Sequence, residues 1–308
     1  MRILFLGAGA LGGYFGGRMT AAGSDVTFLV RPGRAAELAD GLKIRSPMGD
    51  AQIPVATIQA GDRAEPFDVI VLSNKAYALE SALEAIAPYV TETTGILPLL
   101  NGVAHYDAVD AAFSNAVRLG GVAQIPANLG ADGTVNHNGK LQAMIVGTRA
   151  DTARARDLAE GFVAEAIAAG IDAKISTDIE QDLWNKWVFL ATLAAATTLM
   201  ASDVGGIMAT DFGRDAVLAL LDEATAVATA AGRRPVEDRM AFYRDQLTTP
   251  GSKFKASMRH DMEAGKPTEA DHIIGDMIRR GRPLGVSTPL MKVALSRLQV
   301  YETARIAD

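Results

Sequence analysis

Arg2-Ile3-Leu4-Phe5-Leu6-Gly7-Ala8-Gly9-Ala10-Leu11-Gly12-Gly13-Tyr14-Phe15-Gly16-Gly17-Arg18-Met19 opens the chain, and Asp25-Val26-Thr27-Phe28-Leu29-Val30 follows it. The first apolar run reads as a strand, the glycine turn leads into a helix, and the second run reads as another strand. Each glycine of the Gly7-x-Gly9-x-x-Gly12 spacing answers a physical demand. Gly7 permits a tight turn, Gly9 lets the backbone approach a pyrophosphate, and Gly12 lets the helix pack close to the strand. The pyrophosphate of a dinucleotide then rests on the helix N-terminus at Ala10 and Leu11, where free N–H groups and the helix dipole favour negative charge. Such a glycine spacing occurs by chance in glycine-rich chains, but here the strand before it and the helix after it supply the required context. Met1-Arg2 followed by apolar residues imitates a signal peptide, yet a single basic residue and an apolar run broken by glycines argue against one.

The end of the second strand indicates which dinucleotide is expected. An NAD-binding unit usually places Asp or Glu there to hold the ribose 2′-hydroxyl, whereas this chain reads Phe28-Leu29-Val30-Arg31-Pro32-Gly33-Arg34. With no carboxylate on offer, Arg31 and Arg34 are candidates for charge-assisted pairing with the 2′-phosphate of NADP(H). The competing reading of both is a pair of solvated loop charges.

At 308 residues, 49% hydrophobic and 21% charged, the chain has the length for two domains and the composition of a globular enzyme. Its net charge of −6 and lack of long basic runs make nucleic acid an unexpected partner. The sequence contains no cysteine, which excludes disulfides, thiolate catalysis and thiolate metal sites. His105, His137, His260 and His272 are scattered without metal-ligand spacing, so each reads as a surface or hydrogen-bonded residue and no metal is expected. The longest apolar stretch, Trp187 to Ala201, is shorter than the roughly 20 residues that span a bilayer and carries Thr192, Thr197 and Thr198. It reads as a buried core helix, with no membrane partner and a cytoplasmic location expected.

Along the first half, β and α signals alternate. Short strands are expected at 41–45 and 51–57, a buried strand at 67–72 ending in Ser73-Asn74-Lys75, a helix from Tyr77 to Tyr89, and a strand at 95–100 stopped by Asn101-Gly102. Further strand-like pieces lie at 117–125, 133–137 and 141–146. This alternation implies an α/β fold with a Rossmann-type, doubly wound, mostly parallel sheet, whose ligands lie beyond the carboxyl ends of the strands. Lys75 and Asn101 fall just past two such ends. From Ser176 onward the pattern becomes mostly α-helical, with Thr177-Asp178-Ile179-Glu180 at capping-box spacing. Helices are expected from there to Met200 and over 210–231, 236–247, 268–280 and 289–305. The expected domains are 1–172 and 173–308.

Taken singly, the candidate chemical groups are ambiguous. Lys186 stands between Trp184 and Trp187; shielding from water would disfavour its charged form and bring its pKa toward the range useful in proton transfer. A lysine snorkelling past aromatics on a helix surface reads the same way. Glu269 follows Pro267-Thr268 at a helix start, where a carboxylate is favoured by the dipole whatever its function. Ser257 and Asn101 carry no signal alone, and Asn101-Gly102 is also a plain turn sequence.

In combination these residues resemble a known family. The glycine motif with Ala10-Leu11-Gly12, the arginine after the second strand, Lys75 after Val-Leu-Ser-Asn, Leu99-Leu100-Asn101-Gly102, Leu183-Trp184-Asn185-Lys186, and Ser257-Met258-x-x-Asp261 with Pro267-Thr268-Glu269 all resemble ketopantoate reductase (2-dehydropantoate 2-reductase), in order and over nearly the whole chain. The resemblance implies NADPH-dependent reduction of a small-molecule 2-oxo acid in a cleft between a Rossmann domain and a helical domain, a place in pantothenate biosynthesis, and an assembly compatible with a homodimer. It implies that Lys186 is the catalytic lysine and Glu269 the active-site glutamate. Ser257 would lie by the substrate carboxylate, with Lys75 and Asn101 near nicotinamide and substrate. Gly7, Gly9, Ala10, Leu11, Gly12 and Arg31 complete the cofactor set.

One departure bears on specificity. Family members usually carry asparagines four and eight residues after the lysine and another near a following Asn-Gly, where this chain has Leu190, Ala194 and, in a looser alignment, Val204 before Gly205. Positions four and eight residues on share the lysine's helix face, so that face is apolar here. Sites built to hydrogen-bond a hydroxyl and sites lined by aliphatics select different substrates. The expected substrate is ketopantoate or a related, more apolar 2-oxo acid. A β-hydroxyacid or opine-type dehydrogenase shares the domain order, but the Ser257 to Glu269 segment favours the reductase. A non-catalytic NADP-binding sensor would not need Lys186, Glu269, Ser257 and Asn101 together.

Overall fold

The computed structural model describes residues 1–307. Two compact units divide the chain, one formed by residues 1–100 and 105–182, the other by 101–104 and the segment from Leu183 onward. The sequence pattern places the domain boundary at 172/173, ten residues earlier. The difference arises because the segment after 172 still forms a strand of the first unit's sheet.

In the first unit the elements run β1 (Arg2–Leu6), α1 (Ala10–Ala21), β2 (Asp25–Leu29), α2 (Pro32–Glu37), β3 (Leu42–Arg45), β4 (Ala51–Ile53), β5 (Ala56–Ile58), β6 (Val69–Leu72), α3 (Leu79–Ile86), β7 (Gly95–Pro98), α4 (Ala104–Ala112), β8 (Val117–Gln124), β9 (Ala127–Leu129), β10 (Val135–His137), β11 (Ala143–Thr148), α5 (Ala153–Ala168) and β12 (Asp172–Ile175). An eight-stranded sheet has the order β12-β11-β8-β7-β6-β1-β2-β5. Its strands are parallel from β5 to β8, and the direction reverses once, at the antiparallel β8–β11 pair. The chain leaves β1 for β2 and β5 on one side and returns to β6 on the other, so the β1/β6 edge is the topological switch point.

Successive residues of β1 and β6 point to opposite faces of this sheet. Ile3, Phe5, Val69 and Val71 join a core with Tyr14, Phe15 and Met19 of α1 and Leu158 and Phe162 of α5. Leu4, Leu6, Ile70 and Leu72 join another with Ile86 of α3 and Val109 of α4. Helices on both faces make the expected doubly wound architecture. A smaller sheet, β4-β3-β10-β9, covers α1 from its far side. The predicted 51–57 strand is in fact β4 and β5, in different sheets on either side of Pro54, which lacks the N–H that a continuous ladder needs.

Close packing on α1 explains its glycines. A Cβ on Gly16 would stand 2.7 Å from Phe28 Cζ and 3.0 Å from Phe5 Cδ2, and one on Gly17 would stand 2.6 Å from Leu42 Cδ2 of the smaller sheet. The helix is held between two sheets only because these positions have no side chain.

The second unit is helical. Its elements are α6 (Ile179–Leu199), whose first turn belongs to the first unit, then α7 (Val204–Met208), α8 (Gly213–Ala230), α9 (Glu237–Leu247), α10 (Ser257–Glu263), a π-helical turn (Asp271–Gly275), α11 (Asp276–Gly281) and α12 (Pro289–Ala307). Asp178 accepts from Gln181 N at 3.0 Å and so caps α6, displacing Thr177 from that role; Glu180 pairs instead with Arg149 at 2.8 Å. The buried threonines of α6 each return a hydroxyl to the carbonyl four residues back, at 2.6–2.8 Å, which settles their polarity inside an apolar helix. No helix among the described residues is long and apolar enough to cross a membrane.

Gly16→Ala is expected to lower stability by about 1–3 kcal/mol through overpacking, although alanine is the better helix former by about 1 kcal/mol. Gly33→Ala in α2, where an added Cβ meets nothing within 4 Å, is expected to be neutral or mildly stabilising. Urea unfolding of both variants beside the parent checks the contrast; a Gly16→Ala protein as stable as the parent would show that α1 has room to spare.

Candidate active site

The glycine turn after β1 has the geometry its sequence demands. Gly7 has φ +91°, the left-handed region open to glycine, and its N–H donates to Leu29 O at 2.9 Å. A Cβ on Gly12 would collide with the Gly7 carbonyl oxygen and the Ser73 hydroxyl, which itself donates to Leu6 O at 2.9 Å across the β1/β6 edge. Around Gly9 a Cβ would meet nothing within 4 Å. Gly9 is the N-cap of α1 and offers no side-chain cap, so the first N–H groups of the helix take no bond from a capping side chain. This cradle fits a dinucleotide pyrophosphate.

The two arginines after β2 part company. Arg34 Nε and Nη2 donate to Ala8 O at 3.0 and 2.8 Å, and Nη1 reaches Gly133 O at 3.0 Å and Glu37 Oε2 at 2.7 Å. Because α2 turns the chain back over the glycine loop, Arg34 braces that loop with donors from all three of its nitrogens, contrary to the expectation that it pairs with a phosphate. Arg31, the N-cap of α2, is exposed; its carbonyl accepts from Ala35 N at 3.0 Å, and its guanidinium has no hydrogen bond or ion pair among the described residues. Lys75 is half-buried and starts the short 3₁₀ turn after β6, where its carbonyl accepts from Ala78 N at 2.9 Å and Asn74 Nδ2 at 3.0 Å.

The second unit gathers Asn101, Lys186, Ser257 and Glu269. Lys186 keeps partial exposure as a residue, yet burial dominates at its ammonium and lowers its pKa to about 8, opposed by the negative charge of Glu269. Glu269 is 8% exposed, so the two charges act on each other in a poorly solvated setting. Trp184 and Trp187 pack on each other, with centroids 4.9 Å apart, on one face of α6. Adjacency in sequence therefore does not sandwich the lysine between them. Trp187 Nε1 instead donates to Ile273 O at 3.0 Å and fixes α6 to the π-helical turn that follows Glu269.

That turn was not legible in the sequence, which predicts one continuous helix over 268–280. Asp276 N reaches back to Asp271 O, and Arg279 also binds the Asp271 carbonyl, at 3.0 Å. Before the turn, Glu302 Oε1 accepts from Thr268 N at 2.6 Å and Thr268 Oγ1 at 2.7 Å, which holds the backbone beside Glu269. Ser257 is the exposed first residue of α10. Leu190 is half-buried and Ala194 is 3% exposed, so only Leu190 retains open surface on that helix face. Val204 N donates to Phe254 O at 2.9 Å, and Gly205 packs directly on the Gly251 backbone. Among the described residues no group of three or more His, Cys, Asp or Glu side chains is arranged to hold a metal.

Comparison with known proteins shows the family. Residues 3–151 match the family model for ketopantoate reductase PanE/ApbA, and residues 178–302 match the model for the C-terminal part of ketopantoate reductase PanE/ApbA. The uncharacterized oxidoreductase YkpB of Bacillus subtilis (strain 168) is 36% identical, over 99% of this chain and 100% of its own. The 2-dehydropantoate 2-reductase of Mesorhizobium japonicum is 27% identical over 96% of each chain. The crystal structure of 2-dehydropantoate 2-reductase from Geobacter metallireducens GS-15 superposes with a TM-score of 0.86 at 30% identity, over 97% of this chain and 99% of that one. With both family models matched in order and relatives aligned from end to end, the chain belongs to the ketopantoate reductase family of oxidoreductases acting on CH–OH groups.

Proposed function

We propose that this protein reduces a 2-oxo acid to the 2-hydroxy acid at the expense of NADPH. The observation that carries the reading is Lys186: an ammonium whose pKa is brought down to about 8 by burial, with the Glu269 carboxylate acting on it. A bound NADPH would be the source of the hydride for the carbonyl carbon. Charge then builds on the carbonyl oxygen, and the Lys186 ammonium stabilises it and gives up a proton to form the hydroxyl. Glu269 favours the charged lysine and so keeps it a competent acid near neutral pH. In the first unit, Gly7, Gly9 and Gly12 with Ala10 and Leu11 at the start of α1 would hold the pyrophosphate. Exposed Arg31 would take the 2′-phosphate, with Lys75 a further cofactor contact. In the second unit Asn101 and Ser257 are the proposed substrate contacts.

The half-buried Leu190, on the lysine's helix face, supports a substrate more apolar than ketopantoate. A site that offers an aliphatic side chain where a hydroxyl needs a partner discriminates against that hydroxyl. Leu190→Asn is expected to raise the ratio of kcat/KM for ketopantoate over a 2-oxo acid with an alkyl tail. An unchanged ratio would remove Leu190 from the specificity wall.

Lys186→Ala is expected to cut kcat about a hundredfold or more, the scale of one lost electrostatic contact in the transition state, while NADPH affinity and unfolding midpoint stay near the parent's. In the parent, kcat/KM for the 2-oxo acid should fall as pH rises through about 8 and the acid form of Lys186 is lost. Glu269→Gln removes the charge that raises this pKa, so the falling limb should move to lower pH. A limb that stays in place would mean that another group titrates.

Arg31→Ala is expected to weaken NADPH binding by about tenfold or more, as for a lost charge-assisted contact, with NADH affinity little changed. Calorimetry with both cofactors on both proteins checks this. Equal affinities of the parent for NADPH and NADH would reduce Arg31 to a loop charge.

A further inference from the structure

His272 lies inside the π-helical turn, three residues after Glu269, on a segment whose Ile273 carbonyl is anchored by Trp187, the neighbour of Lys186. Its ring packs on the Asn101-Gly102 turn. A Cβ on Gly102 would stand 3.2 Å from His272 Cδ2 and 3.4 Å from Nε2, and Gly102 has φ +78°, so glycine is required there for both reasons. The Asn101 main chain is a hydrogen-bonding partner of the His272 ring and raises its pKa. Burial holds the imidazole pKa below its ordinary value against the opposing charges of Glu269, Asp276 and Asp271. Residues 101–104, distant in sequence, belong with His272 to the second unit.

We infer that His272 is a positioning residue, which sets the main chain of Asn101 in register with Lys186 and Glu269 and so aims the Asn101 amide at the substrate. The helix geometry favours this design. In a π-helical turn the chain carries an extra residue per turn, which rotates the following side chains relative to those before it. Glu269 and His272, three positions apart with Ile273 N bonded to Glu269 O at 2.9 Å, share a helix face, while Trp187 locks the turn against α6. The inference rests on the proposed reduction for its kinetic consequence, whereas the tie between His272 and Asn101 can be read independently of activity.

The test uses the full-length protein and two variants. His272→Phe keeps a ring but loses the N–H, and His272→Gln places an amide N–H close to the position of Nε2. With NADPH and the best of a panel of 2-oxo acids, His272→Phe is expected to lose about tenfold or more in kcat, the rate equivalent of one lost hydrogen bond. KM for NADPH and the melting temperature should stay near the parent's, and His272→Gln should recover most of the kcat. Hydrogen exchange should rise in the peptide covering residues 99–106 of His272→Phe, not in α6, and return toward the parent level in His272→Gln. A purely structural role would lower the melting temperature of both variants and leave kcat per folded molecule unchanged. Unchanged exchange at 99–106 in His272→Phe overturns the inference whatever the kinetics show. If the parent reduces no 2-oxo acid, the proposed function fails and the exchange result alone decides the role of His272. Should His272→Phe not fold, Gly102→Ala disturbs the same contact from the other side and must give the same pattern of exchange.

Discussion

Everything in the first unit depends on how closely α1 can approach its neighbours. With Gly12 against the Gly7 carbonyl and Ser73, Gly16 against two phenylalanine rings and Gly17 against the smaller sheet, the helix lies nearer to both sheets than any side chain would allow. That approach sets the path of the turn that feeds α1 and leaves Gly9 facing open space. Arg34 then secures the turn from outside by two hydrogen bonds to Ala8 O. Packing density in the core and an open cradle at the edge are therefore two results of the same missing side chains.

A different device governs the second unit. The middle of α6 is buried through Trp187, Val188, Ala191 and Leu193 to Ala196, and its threonines satisfy themselves on the helix backbone. A helix so firmly held makes a rigid mount for Lys186, whose charge is disfavoured by burial and restored in part by Glu269. The balance matters more than either influence. Burial lowers the pKa of Lys186, and the negative charge of Glu269 opposes that fall.

The opening strand-turn-helix unit was fully legible, since glycine spacing, apolar runs and turn chemistry all point to one structure there. Lys186 and Glu269 were visible as candidates because the order of motifs along the chain resembles a family; periodicity alone left both ambiguous. The role of Arg34 was not legible. Nothing in Arg-Pro-Gly-Arg announces that α2 will fold the second arginine back onto Ala8 while leaving the first in solvent. The capping box at Thr177 misled because Asp178, one residue on, competes for the same N–H groups and Arg149 draws Glu180 away. Strand β12 and the π-helical turn escaped for a related reason: both are fixed by partners far away in sequence, β11 for the one and Trp187 and Arg279 for the other.

Glu302 ties the last helix to the segment that carries Glu269. Its carboxylate, on the last helix, holds the Thr268 backbone beside Glu269 and also accepts from Arg305. Burial works against its charged form, but the bonds from Thr268 and Arg305 outweigh it and hold the carboxyl below its ordinary pKa. Its contribution is therefore present above the ordinary glutamate range and is lost as acid protonates it. The closing residues of α12 are thus more than a frayed terminus. A chain cut short before Glu302, or a fusion that unwinds the final turns, would loosen a loop more than thirty residues upstream, so affinity handles are better carried on a flexible spacer beyond residue 307 than spliced into the helix.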